Sequence, residues 1–261
     1  MDNGICSLSL VPVRAEPSDK SELVTQLLYG ECYQIMGSQG NWHQIKIAAD
    51  DYTGWIDFKQ HCPVTPEYFT EWKATAHPRA VDLVQTISSE NTRIPIMIGS
   101  TLPFFDGINI RINNQKYVYS GRATNNSLPF KINFFTKVAH SYLKAPYLWG
   151  GKSIFGIDCS GFVQQVFGIC GYNFPRDAWQ QVSVGIEVHF ANLTQPGDLA
   201  FFDNDEGRII HVGILLENQQ IIHAHGEVRI DMLDHYGIFN HQRKKYTHRL
   251  RIIKRIFPVA K

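Results

Sequence analysis

One cysteine and two histidines have the types and spacing for nucleophilic chemistry. Cys159 lies in the run DCSGF at 158–162, and His211 and His223 lie in two apolar segments further along the chain. A thiol attacks a carbonyl carbon as the thiolate, so it needs an imidazole nearby to accept its proton. The three residues therefore predict a nucleophile, a general base and a group that orients the base.

The segment after Cys159 predicts a helix, because apolar residues recur at helical spacing over 162–167. A cysteine at a helix start meets unpaired N–H groups and the positive end of the helix dipole, which favour the thiolate and could stabilise an oxyanion. Asp158 would raise the thiol pKa if its carboxylate lay near the sulfur. We therefore expect Asp158 to point away, toward substrate; its other possible role is to cap the helix.

Residues 209–216 and 220–224 predict two strands joined by a short turn. A hairpin centred on Glu217 places His211 opposite His223, whereas one centred on Asn218 pairs His211 with His225. The residues alone leave both registers open. Either partner imidazole could hold His211 in the tautomer that a base needs.

Five ordered motifs resemble the NlpC/P60 family of papain-like peptidases. They are PYLWGG at 146–151, DCSGF at 158–162, PRD at 175–177, PGDLAFF at 196–202 and HVGI at 211–214. The resemblance covers residues 131–261 and implies an α+β, papain-like catalytic domain. It also implies that Cys159 is the nucleophile, His211 the general base and then acid, and His223 the third polar residue.

The N-terminal half has the sequence pattern of small β-barrels. Short segments in which apolar and polar residues alternate are separated by turns that contain glycine. Four segments resemble those of a bacterial SH3 domain: VRAEP at 13–17, LLYGE at 27–31, NWHQI at 41–45 and YTGWI at 52–56. We assign this domain to residues 1–62. Residues 81–130 repeat the pattern more weakly and predict a second, diverged SH3-like barrel. Residues 63–80 contain three prolines and predict a linker with one helical turn.

The catalytic domain is predicted to start with a helix over 133–144, which Pro146 terminates. The nucleophile helix would then pack on an antiparallel sheet. Its predicted strands cover 199–202, 209–216, 220–224 and 251–256.

With 261 residues, 44% hydrophobic and 19% charged, the chain has the composition of a globular protein and is long enough for one large domain or two to three small ones. The net charge of +1 favours neither a nucleic-acid nor a membrane partner. Basic residues over 249–255 alternate with apolar ones, as on the outer face of a strand.

Five cysteines without a CxxC pair indicate a reducing compartment. The first residues do not have the pattern of a signal peptide, and no later apolar run reaches the length of a membrane span. We therefore expect a cytoplasmic protein, or one of the cell envelope if a signal peptide has been removed. No cofactor is expected. One chain supplies every predicted catalytic residue, so a monomer would suffice.

Two SH3-like barrels before an NlpC/P60 domain resemble the γ-D-glutamyl-L-diamino-acid endopeptidases of murein peptide recycling. The resemblance implies hydrolysis of the bond between D-Glu and a diamino acid, such as diaminopimelate, in murein peptides with a free N-terminal L-Ala. A buried ammonium group needs acceptor oxygens, for which Asp158 and Asp177 are candidates. Arg176 could bind a substrate carboxylate or pair with one of these aspartates.

Further substrate contacts are expected from both halves of the chain. Ser160 offers a hydroxyl beside the nucleophile, and the Tyr147 hydroxyl could stabilise the oxyanion. The alternative for Tyr147 and Trp149 is that they are packed aromatics under a turn. Ala178 stands where related enzymes often carry a serine. The remaining expected substrate-binding residues are Trp149 and, from the first barrel, Tyr52, Trp55 and Glu31.

Two functions of other classes compete with peptide hydrolysis. The histidines at 211, 223 and 225 could bind zinc with Cys159 or an acid, although no HExxH or CxxC accompanies them. Alternatively, the barrels could bind murein fragments beside an inactive domain. Within the favoured class, amidases and acyltransferases share the scaffold and the thiol mechanism.

Overall fold

A computed structural model describes residues 2–124, 131–189, 193–240 and 243–257. Contacts divide the chain into two compact units. The first comprises Met1–Pro129, Trp149–Ile154 and Gly168–Asn173, and the second comprises Phe130–Leu148, Phe155–Phe167 and Phe174–Lys261. No helix in the described part of the chain has the length and apolar character to cross a membrane.

The first unit begins with a seven-stranded antiparallel sheet in the order β3-β2-β6-β5-β4-β1-β7. Alternating residues of its strands bury a core that includes Val11, Val13, Tyr33 and Ile45, as expected for a small barrel with one face inward. The strands are β1 (Asn3–Ile5), β2 (Leu10–Arg14), β3 (Leu23–Leu28), β4 (Cys32–Gln39), β5 (Trp42–Ile47), β6 (Thr53–Asp57) and β7 (Pro63–Val64).

A packed helix, α1 (Pro66–Ala74), occupies the segment predicted to be a linker. Proline stands at its first turn, and the Thr65 hydroxyl accepts the Tyr68 N–H at 3.2 Å. The helix buries Tyr68, Phe69 and Trp72. It is therefore longer than the single turn expected, and its aromatic residues belong to a core rather than to a linker.

A second, four-stranded antiparallel sheet follows in the order β10-β11-β8-β9. Its strands are β8 (Val84–Ser88), β9 (Arg93–Met97), β10 (Asn109–Ile112) and β11 (Gln115–Tyr119). Ile87, Ile110 and Tyr119 share a core with α1. Part of the predicted second barrel, residues 125–130, lies outside the described residues, and closure of this sheet into an SH3-like barrel stays a prediction.

The second unit combines helices with a seven-stranded antiparallel sheet in the order β14-β20-β15-β16-β17-β18-β19. Because β19 also pairs with β20, six of its strands form a closed ring. The helices are α2 (Ile132–Ser141), α3 (Cys159–Ile169) and α4 (Ala178–Gln181). The strands are β12 (Lys152–Ser153, which packs in the first unit), β13 (Gly156–Ile157), β14 (Ile186–Glu187), β15 (Leu199–Asp203), β16 (Ile209–Leu215), β17 (Gln220–His225), β18 (Glu227–Leu233), β19 (Gly237–Asn240) and β20 (Lys245–Arg255).

These elements confirm the predicted α+β class and both predicted helices, with α2 ending three residues before the expected end. All four predicted strands form, but β18 and β19 were not predicted. The helix that starts at Cys159 is held by four fully buried residues, Phe162, Val163, Val166 and Phe167. Its apolar face fixes the helix, and thereby the position of the thiol.

Candidate active site

Cys159 is the first residue of α3, as its sequence neighbourhood predicts. The Asp158 carboxylate accepts the Gly161 N–H at 2.7 Å and so caps the helix. The thiol is buried and lies near the N–H groups of Val212 and Ser160. Backbone donors thus surround the nucleophile where charge would develop.

The Asp158 carboxylate is engaged within the protein. Its carboxylate forms a bidentate ion pair with Arg176, at 3.0 Å to one guanidinium nitrogen and 2.6 Å to the other. Arg176 also donates to the Ser160 hydroxyl at 2.9 Å, and its side chain is 1% exposed. Of the two roles considered for Arg176, the structure shows the ion pair; a substrate contact by Asp158, Ser160 or Arg176 stays a prediction.

His211 and His223 are hydrogen-bonded, Nε2 of the first to Nδ1 of the second, at 2.8 Å. Of the two registers that the sequence left open, the structure has the one centred on residue 218. Ile214 pairs with Ile222 and Leu215 with Ile221, so the hairpin is centred on residue 218 and its continuation sets His225 opposite His211. His223 reaches His211 as a diagonal neighbour.

A glycine makes this diagonal contact possible. In the same register Gly213 lies opposite His223, and a Cβ atom there would lie 2.9 Å from the His223 Cβ and 2.7 Å from the Ile221 side chain. Both distances are too short for ordinary packing. The missing side chain leaves room for the His223 ring to lean toward His211.

His223 is held in turn by an aspartate from β18. Nε2 of His223 lies 3.2 Å from Oδ2 of Asp231, and Arg229 binds the same carboxylate through two contacts of 2.8 and 3.0 Å. His223 is fully buried and Asp231 nearly so. Neither Asp231 nor Arg229 was identified from the sequence, because β18 was not predicted.

His248 is a further site histidine that was missed. Its ring stacks on that of His211, with centroids 4.1 Å apart and planes inclined by 21°. His248 lies in β20, far from His211 in the sequence, and it is not part of any of the five motifs. Burial lowers the pKa of His248 to about 3, and it lowers the pKa of His211 well below its usual value, with neighbouring imidazoles adding to the effect.

The electrostatics of the thiol differ from the sequence-based expectation. Burial, and next the Asp158 carboxylate, raise the pKa of Cys159 to about 12, although backbone N–H groups and Arg176 act in the opposite direction. His211 is neutral for the reasons given above. The resting pair is therefore a thiol and a neutral imidazole, and the proton must leave sulfur as the thiol attacks.

We expect the alkylation of Cys159 by iodoacetamide to accelerate about tenfold per pH unit from pH 6 to 9, since the thiolate fraction grows tenfold per unit below its pKa. Peptide mapping by mass spectrometry distinguishes this cysteine from Cys62 and Cys170, which are partly exposed. A rate that is flat over the same range would instead indicate a preformed thiolate–imidazolium pair.

Tyr147 lies near the thiol and keeps its proton. Burial, then the charges of Cys159 and Asp158, raise the pKa of its phenol. Its backbone N–H donates to the carbonyl of Gly226 at 2.9 Å. A protonated phenol here is a suitable donor to an oxyanion, which stays a prediction.

Asp177 stands at the start of α4, where its backbone N–H donates to the Gln180 side chain at 3.0 Å. Its side chain is partly exposed, in contrast to the buried Asp158. The two aspartates named for the substrate ammonium thus have different surroundings. The role of Asp177 toward substrate stays a prediction.

Trp149, Glu31 and Tyr52 lie in the first unit. Trp149 is exposed and its indole N–H donates to Glu22 at 2.5 Å. Glu31 is buried and binds the Lys152 ammonium at 3.0 and 3.1 Å. Tyr52 and Trp55, each partly buried, belong to the barrel, and substrate contacts by these residues stay predictions.

Three imidazoles among the described residues could hold a metal ion, with one ligand nitrogen each from His211, His223 and His248 within 4.8 Å. Within this group, Nε2 of His211 and Nδ1 of His223 already lie 2.8 Å apart in a hydrogen bond. That distance fits a shared proton. The geometry therefore favours a proton relay over the zinc site considered from the sequence, which included His225 in place of His248.

Two family models match the chain. The NlpC/P60 family matches residues 144–250, and the bacterial dipeptidyl-peptidase SH3 domain matches residues 13–60. The first match contains Cys159, His211 and His223. The second covers most of the seven-stranded sheet of the first unit.

Curated relatives and solved structures agree with these matches. A γ-D-glutamyl-L-lysine dipeptidyl-peptidase of Bacillus subtilis is 28% identical over 77% of this chain and 71% of the relative. Dipeptidyl-peptidase 6 of Lysinibacillus sphaericus is 27% identical over 89% and 92%, respectively. The crystal structure of an NlpC/P60 family protein from Bacillus cereus has the same fold, with a TM-score of 0.81 at 22% identity over 98% of this chain and 100% of that one. The chain is therefore a cysteine peptidase that combines an NlpC/P60 domain with an N-terminal bacterial SH3 domain.

Proposed function

We propose that this peptidase hydrolyses the γ-D-glutamyl bond to a diamino acid in murein peptides that carry a free N-terminal L-Ala. The observation that carries the proposal is the relay from Asp231 through His223 to His211, whose chain neighbour Val212 presents its N–H to the buried Cys159 thiol at a helix start. This geometry suits acyl transfer to a thiol. The substrate class is supported by the relatives in Bacillus subtilis and Bacillus cereus, both γ-D-glutamyl-L-lysine dipeptidyl-peptidases.

The reaction begins with attack of the Cys159 sulfur on the γ-carbonyl carbon of D-Glu. His211 takes the thiol proton on Nδ1, because its Nε2 is engaged with His223. The N–H groups at the start of α3 and the Tyr147 hydroxyl are the donors proposed for the oxyanion.

Collapse of the tetrahedral intermediate breaks the amide bond. His211 returns its proton to the leaving amino group, which frees the diamino acid and leaves a thioester on Cys159. Water then attacks the thioester while His211 again takes a proton. Release of L-Ala-D-Glu restores the thiol.

We propose Asp158 and Asp177 as the acceptors for the substrate ammonium. The Asp158 carboxylate is buried and paired with Arg176, and Asp177 is partly exposed at the start of α4. Trp149, Ser160, Tyr52 and Glu31 remain proposed contacts.

We further propose a role in recycling released peptides inside the cell, in monomeric form. All five cysteines are free thiols, which is typical of a reducing compartment. We interpret residues 81–130 as a diverged SH3-like barrel that acts as a spacer. Alternating burial along β8 and β10 is consistent with a barrel wall.

Incubation with L-Ala-γ-D-Glu-diaminopimelate, followed by mass spectrometry, tests the proposal. We expect free diaminopimelate from this peptide but not from its N-acetylated form, because acetylation removes the ammonium charge. The L-lysine peptide is run in parallel to identify the preferred diamino acid. Release from both the free and the acetylated peptide would exclude an ammonium requirement, and release from neither would point to an amidase, an acyltransferase or a binding protein.

A further inference from the structure

We propose that Asp231, held by Arg229, is a positioning residue that sets the tautomers of His223 and His211 and so decides which nitrogen of His211 receives the thiol proton. The proposal rests on His211 acting as the base, as in the proposed function. It extends the catalytic group of Cys159, His211 and His223 by a carboxylate from β18.

The argument begins with Asp231, which can only accept hydrogen bonds when ionised. Arg229 contacts both of its oxygens, at 2.8 and 3.0 Å. Hydrogen bonds from His223 and Arg229 lower the pKa of Asp231 against the opposing effect of burial. The carboxylate is therefore charged.

The tautomer of His223 follows from this charge. Its Nε2 lies 3.2 Å from Asp231 Oδ2, so Nε2 must carry the proton. The pKa of His223 is lowered, chiefly by burial, so the ring is neutral and its Nδ1 has only a lone pair. A neutral imidazole donates from one nitrogen and accepts at the other.

The tautomer of His211 follows in the same way. Its Nε2 lies 2.8 Å from the accepting Nδ1 of His223, so Nε2 of His211 must donate. Its Nδ1 then has the lone pair that the thiol proton requires. The carboxylate thereby controls a base with which it has no contact of its own.

Strand pairing gives the arrangement its rigidity. In the β17–β18 register Arg229 lies directly opposite His223, and Asp231 lies opposite Ile221 on the same face. The Asp231 carboxylate receives hydrogen bonds from both Arg229 and His223, and thus bridges the guanidinium and the imidazole. An asparagine at 231 could donate as well as accept, and would no longer fix the tautomer of His223.

The test is a double-mutant cycle with Asp231→Asn and His223→Asn. We expect Asp231→Asn alone to lower kcat on the order of 10²-fold with KM little changed, as for a misplaced catalytic group. In the His223→Asn background, which has no tautomer to fix, the same change should lower kcat less than about threefold. Equal losses in both backgrounds would overturn the proposal.

A matched control is Asp203→Asn. Asp203 is also buried in this sheet and binds an arginine, Arg249, at 2.9 Å. We expect this variant to keep kcat within about threefold, as for a substitution outside the coupled group. Thermal unfolding of each variant confirms that it is folded.

A second readout does not depend on the peptide substrate. The ¹⁵N chemical shifts of the histidine rings report which nitrogen carries the proton. We expect the Nε2–H tautomer for both His211 and His223 in the parent protein, and a mixture in Asp231→Asn. Unchanged tautomers in that variant would overturn the inference, whereas failure of the parent to cleave any murein peptide, with the tautomers as expected, would refute only the proposed function.

Discussion

Replacing Cys159 with alanine should lower kcat/KM for peptide hydrolysis by at least about 10⁴-fold, the usual loss when a covalent nucleophile is removed. The thiol forms the thioester, and alanine offers neither sulfur nor a proton to His211. The free energy of unfolding should change by only about 1 kcal/mol, because the smaller side chain leaves the packing of α3 nearly intact. The measurement is diaminopimelate release, quantified by mass spectrometry.

Cys170→Ala serves as the matched control, since it removes a second free cysteine that the proposed reaction does not use. It should retain the parent rate. Undiminished hydrolysis by the Cys159→Ala protein would show that another group attacks the substrate, and the assignment of the nucleophile would fail.

Arg176→Met should lower the free energy of unfolding by about 3–5 kcal/mol, the typical cost of removing one partner of a buried ion pair. The change would leave the Asp158 carboxylate buried without its counter-ion, beside a helix start that depends on Asp158 as its cap. Urea unfolding followed by tryptophan fluorescence measures the loss. The double variant Asp158→Asn, Arg176→Met should recover part of it, because the unpaired charge is gone.

An exposed ion pair provides the comparison. Lys144 lies 2.8 Å from Glu227 with its side chain 77% exposed, so Lys144→Met should cost less than about 1 kcal/mol. Equal losses for the two substitutions would show that burial does not govern the Asp158–Arg176 pair.

Local patterns predicted those parts of the site that depend on neighbours in sequence. The helix at Cys159 follows from apolar spacing, and the strand at His211 follows from its run of apolar residues. The roles of Cys159 as nucleophile and His211 as base were implied by the resemblance of the five motifs to the NlpC/P60 family. Each of these signals lies within about ten residues of the group that it positions.

The hairpin register could not be predicted because the turn is unusual. Asn218 and Gln219 both have positive φ angles, of 56° and 58°, and the Leu216 N–H donates to the Gln220 carbonyl at 2.8 Å. Asparagine adopts this region readily, but glutamine does so much less often. The composition of the turn therefore did not identify its centre, and a shift of one residue changes every cross-strand partner.

Asp231 and His248 escaped prediction for a different reason. Both reach the site through strand pairing between distant segments, β18 with β17 and β20 with β15 and β19. The raised thiol pKa likewise depends on burial and on the direction of the Asp158 side chain. Strand partners, burial and side-chain direction are determined by the complete sheet and not by any local segment of sequence.

The buried pair of Lys152 and Glu31 limits how freely the two sequence families in this chain can be exchanged. Lys152 falls within the stretch matched by the NlpC/P60 family, and Glu31 within the stretch matched by the SH3 family. Both side chains are 3% exposed. A hybrid that lost Glu31 would leave the Lys152 ammonium without this carboxylate in the interior, and one that lost Lys152 would leave Glu31 with the more distant Arg79, at 3.9 Å, as its ion-pair partner. The two residues should therefore be inherited together. In a library that exchanges the SH3 segment among such peptidases, the folded proteins should mainly be those that contain both charges or neither.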